Sequence, residues 1–112
     1  MSGNQYRYTV EKLTTALSVL VSHPGDARER LNDAFFNLRM LQSRDFPPHL
    51  QNKWKWVMKE MTKFGALRDH EGVVWRESVE NTMRRIRKKT ASKIIKEIYD
   101  LYWEVSENEQ YL

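Results

Sequence analysis

The stretch Met83 to Val105, MRRIRKKTASKIIKEIYDLYWEV, constrains this chain more than any other. From Ala91 onward, Ala91, Ile94, Ile95, Ile98, Leu101, Tyr102 and Val105 recur at the three-then-four spacing that lines one face of an α-helix. Such a face requires a core to cover it. Because seven residues make nearly two turns, Lys89, Lys93, Lys96, Asp100 and Trp103 fall on the opposite side. The same stretch opens on the densest run of positive charge in the sequence.

The rest of the chain supplies partners for that apolar face. Val10, Leu13, Leu17, Leu20 and Val21 predict a first helix over Thr9–Ser22, with Thr9 as its N-cap. His23, Pro24 and Gly25 stop it, since proline cannot continue the hydrogen-bond ladder and glycine tolerates a left-handed turn. Asp26 and Glu29 then stand at capping-box spacing, which predicts a second helix over Ala27–Gln42 burying Leu31, Ala34, Phe35, Leu38 and Leu41. Phe36 and Met40 sit one turn apart on another side. Either a neighbouring helix covers them, the commoner outcome, or they offer an apolar patch to a partner.

Ser43 to Pro48 reads as a rigid connection, because each proline fixes its own φ and restrains the residue before it. Pro48 can open a third helix, running to about Lys63 with Leu50, Trp54, Val57, Met58 and Met61 inward. Trp56 falls off that stripe among Lys53, Lys55 and Lys59, so a core Trp54 beside an exposed Trp56 is expected. Phe64 to Val74 lacks a sustained period and reads as a mobile loop. A short fourth helix follows from Trp75 or Ser78 to Ile86, with Trp75, Val79, Met83 and Ile86 inward. Arg87 would enter the apolar face of one continuous helix, so a break is expected between Arg87 and Thr90. Strand patterns and internal repeats are absent from the sequence.

The fold class that follows is all-α, a compact bundle of about five amphipathic helices with the last the longest, in one domain spanning residues 1–112. Residues 1–8 and 106–112 are expected to fray. At 112 residues the chain is long enough for one core and too short for two well-stabilised ones. Cysteine is absent, which removes disulfides and thiolate metal sites. The sequence holds neither a bilayer-length apolar run nor a secretory leader, and a cytoplasmic location is the expectation. The last helix also needs its apolar face for the core, which argues against a membrane-surface role.

Catalysis finds little to build on. His23, His49 and His70 lie far apart in sequence, and no zinc-protease, nucleophile-elbow or phosphate-loop motif occurs. Asp69, His70 and Glu71 are adjacent, so their side chains diverge, and solvated loop charge accounts for them. The expectation is a protein that is not an enzyme, with no cofactor, metal or small-molecule substrate. Arg84, Arg85, Arg87, Lys88, Lys89, Lys93 and Lys96 could converge on phosphates or on an acidic partner, with Tyr99 and Trp103 near for stacking. Against this, Lys93 and Lys96 stand four residues before Glu97 and Asp100, the spacing of ordinary helix-surface pairs. A net charge of +4 permits polyanion binding without requiring it.

Phe36, Met40, Trp56 and Trp103 are large side chains left outside the predicted core, and such residues are favoured at interface centres. The reading that accommodates both them and the cations is a module that binds another protein or itself. The alternative is a nucleic-acid binder using the Arg84 to Lys96 junction.

Overall fold

The computed structural model describes the backbone of residues 5–111, and every side chain among them except those of Trp75 and residues 108–111. Five helices share one hydrophobic core: α1 (Arg7–Ser22), α2 (Ala27–Leu38), α3 (Gln51–Met61), α4 (Ser78–Arg85) and α5 (Lys88–Tyr111). The longest, α5, is contacted by α1, α2 and α3, while α4 closes against α2 and α3. Ala91, Ile94, Ile98, Leu101 and Val105 of α5 are all fully buried, as the spacing requires. Helical backbone continues beyond Val105 to Tyr111.

Local chemistry sets the helix ends. Asp26 accepts the amides of Arg28 and Glu29 while Glu29 Oε1 accepts the amide of Asp26, completing the capping box that starts α2. Arg30 reaches back to the carbonyls of Gly25 and Leu20, satisfying acceptors left open where α1 stops. Gly25 is needed for closeness rather than for a left-handed turn. Its φ is not positive, and a Cβ there would lie 2.8 Å from both Glu29 and the His23 ring. Pro48 to Leu50 forms a 3-10 turn that leads into α3. Ile86 is extended between α4 and α5, breaking the helix just ahead of Arg87.

Several expectations need correction. Thr9 is not a cap: α1 begins two residues earlier, and the buried Thr9 hydroxyl donates to the carbonyl of Asp45 at 2.6 Å. Val21 is 80 % exposed, and Ala16 takes a place in the core instead. The stretch read as a loop contains an antiparallel hairpin, β1 (Leu67–Arg68) with β2 (Val74–Arg76). Asp69 Oδ1 accepts the amides of Glu71 and Val73, and Gly72 supplies the positive φ that its turn requires. The fourth helix therefore starts at Ser78; Trp75 lies on β2, and its expected inward side chain is outside the described residues, as is any fraying of residues 1–4.

Trp56 is the correction that bears most on function. It is partly buried against the core rather than exposed, because α3 packs on α5 and the Lys93 ammonium sits 6.0 Å from its ring centroid. Trp54 is buried as expected. Its ring stacks on Phe46 at 4.8 Å, so the proline-rich connection contributes to the core as well as spanning it.

Candidate functional site

The side of α5 opposite its buried face carries an aromatic ridge. Trp103 is 52 % exposed and Tyr99, one turn earlier, 48 %. Their rings meet edge to face at 6.2 Å, and Tyr102 meets Trp103 in the same manner at 5.7 Å. Tyr102 also turns toward α1. There it lines a groove of about 370 Å³ with Thr14, Leu17, Ser18, Val21 and Ser22. Exposed Val21 thus faces the same groove as the inner end of the ridge. Lys96 flanks it in an ion pair with Asp100 at 3.0 Å, a hydrogen bond that raises the Lys96 pKa above its ordinary value.

Phe36, on α2, and Met40, in the turn just past its end, are also exposed apolar side chains. Phe36 is 65 % exposed and Met40 50 %, so no neighbouring helix covers them. Arg39 lies over the Phe36 ring at 4.7 Å. Of the four large side chains singled out from the sequence, Phe36, Met40 and Trp103 are exposed, and Trp56 is not.

The seven cations do not converge. Arg84 approaches Glu80 at 3.7 Å, and Arg85 donates to Asn81 while its guanidinium lies over the Phe64 ring. Lys88 reaches Asp26 at 3.9 Å, and Lys96 is held by Asp100. Lys93 is not paired with Glu97, which faces Lys53 instead. Among the described residues, Arg87, Lys89 and Lys93 have no carboxylate at pairing distance. Asp26 is held below the usual carboxylate range, chiefly by the hydrogen bond from the Arg28 side chain and then by the Glu29 amide.

A cleft of about 650 Å³ opens where the α1–α2 turn faces α4, lined by charged groups including His23, Asp33, Arg28, Glu80 and Arg84. His23 and Asp33 resemble a catalytic dyad in distance, with Nε2 to Oδ2 at 2.8 Å. The Nδ1 atom, however, accepts the Gly25 amide at 2.9 Å. Both ring nitrogens are therefore occupied in holding the turn, and the imidazole has no free lone pair for a substrate proton. Among the described residues no group of three or more His, Asp or Glu could hold a metal ion, and Asp69 is engaged in its own turn. No described helix is long and apolar enough to cross a membrane. Comparison with the models of known protein families, with curated proteins and with solved structures returns no match.

Proposed function

We infer that the protein is a helical interaction module that acts by binding another protein or a second copy of itself, and that the α5 ridge is its docking surface. The observation that carries this reading is the pair Tyr99 and Trp103, half exposed, with Trp103 braced edge to face by the partly buried Tyr102 beside the groove that Val21 and Leu17 line. Aromatic side chains that already hold one another lose little rotamer freedom on binding, which lowers the entropic cost of association. Trp103 also stands opposite the buried face of its helix, where it contributes little to the core. The groove gives the surface relief, so a protruding apolar side chain of a partner can lodge beside the rings. Phe36 and Met40 offer a second contact area.

Two measurements on the full chain and on the Tyr99→Ala, Trp103→Ala double variant test this. If the protein pairs with itself, solution mass rises with concentration in a way that salt does not reverse, and the variant stays monomeric. If the partner is a different protein, the wild type recovers from cell extract a defined polypeptide that the variant does not. Wild type and variant behaving alike in both measurements would contradict the reading.

A further inference from the structure

We propose that a different surface, the outer face of α3 and α5 around Trp56 and Lys93, binds the phosphate backbone of nucleic acid. This inference is independent of the ridge.

The first observation is that charge on this face is segregated. Toward the far end of α5, Lys53 is held by Glu97 at 3.9 Å and Glu104 at 3.2 Å. Since Lys53 meets Glu104 and Trp56 meets Lys93, α3 and α5 run antiparallel, and the chain from Trp56 onward lies toward the start of α5. There the balance reverses. Lys93 lies over Trp56, Lys89 stands one turn before it, Arg87 precedes the helix, and Lys59 stands one turn beyond Trp56 on α3. Among the described residues none of these four cations has a carboxylate within 4.0 Å, and the neighbouring Glu60 is engaged by Lys63 at 3.1 Å.

The second observation is where the charges stand relative to the helix dipole. The amino end of a helix carries partial positive charge and favours acidic side chains. The first turn of α5 has none; it begins Lys88-Lys89, directly after Arg87. The arginines that close α4, by contrast, stand where cations are favoured. Lys88 is compensated by Asp26, but Arg87 and Lys89 are not. Cations concentrated at the end of a helix that disfavours them cost stability, and an incoming phosphate offsets both the cations and the dipole.

The third observation selects the ligand. The exposed residues of α3 are Asn52, Lys55 and Lys59, and those of α5 before Tyr99 are Lys88, Lys89, Ser92, Lys93 and Lys96. These polar positions offer no apolar anchor for a lipid layer or for the centre of a protein interface. Single cations repeating about every 6 Å along a helix suit a regular polyanion.

The test is the binding of labelled mixed-sequence DNA, single- and double-stranded, by the full chain across a salt series, with vesicles of anionic lipid as the comparison. On duplex, log K should fall linearly with log salt at about 0.9 per phosphate neutralised, giving a slope of roughly −3 to −4 for four cations. Lys89→Glu should weaken binding about tenfold or more and flatten the slope by about one or more. Its Tm should not fall, because it places an acid at the start of α5. Lys12→Glu, the same charge change on α1, should have a much smaller effect, and the Tyr99, Trp103 double variant none. Absence of salt-dependent binding to either DNA would overturn the proposal. So would equal losses from Lys89→Glu and Lys12→Glu, or binding to vesicles with none to DNA.

Discussion

Thr9 illustrates how single residues here serve tertiary rather than local ends. Its position before an apolar run suggests a cap, yet its hydroxyl joins α1 to the carbonyl of Asp45, across 36 residues of sequence. No local pattern encodes that bond. Thr9→Val keeps the shape and leaves the carbonyl without its partner, so stability should fall by about 1–3 kcal/mol, read by chemical denaturation. Asp26 was legible, because both halves of a capping box lie within four residues. Its pKa is lowered in the folded protein, so its contribution is complete above the unfolded-state value and is lost as pH falls through the lowered one. Asp26→Asn retains a capping acceptor but cannot titrate. Its Tm should be below the wild type's at neutral pH, and the difference should shrink on acidification; parallel pH profiles would show that the carboxylate charge contributes nothing.

Among the elements, α5 was the most legible, since a repeat sustained over four turns admits few alternatives, and the misfit of Arg87 marked its start. The hairpin was not legible. Strands of two and three residues carry no period; the Asp69 turn closes their pairing, and contacts from α4 hold the chain just ahead of β1. Buried Asn81 supplies those contacts. Its amide donates to the carbonyls of Gly65 and, at longer range, Phe64, while the Thr82 hydroxyl accepts the Phe64 amide. Asn81→Leu should free the start of this segment, with loss of amide-exchange protection from residue 64 onward and a stability cost of about 1–3 kcal/mol. Protection unchanged there would mean that the hairpin holds without α4. The misreading of Trp56 has a similar origin: a helical wheel gives a side chain's direction but not what packs beside it. Trp56→Ala should therefore cost roughly 1–3 kcal/mol, whereas Trp103→Ala should change stability by less than about 0.5 kcal/mol.

At the scale of the whole molecule, the packing of five helices decides which residues become neighbours. The cations adjacent in sequence are sent in different directions by the corner between α4 and α5: Arg84 to Glu80, Lys88 to Asp26 and Lys93 to the Trp56 ring. Likewise, Trp103 could be found by its place on the wheel, but the groove beside it could not, because it depends on how α1 crosses α5 and leaves Val21 outside the core. The molecule thus presents apolar rings toward one end of α5 and, toward the other, cations that have no carboxylate partner among the described residues. The ring end is the docking surface we propose. Its most direct test is solution mass across a concentration series, for the wild type and the Tyr99→Ala, Trp103→Ala variant, alone and with any polypeptide that the wild type recovers from extract. A complex, insensitive to salt, is expected to form with the wild type and to be lost in a variant of unchanged Tm. A complex that persists in the variant, or a variant that loses its Tm together with binding, would show that these rings serve the fold and that association lies elsewhere.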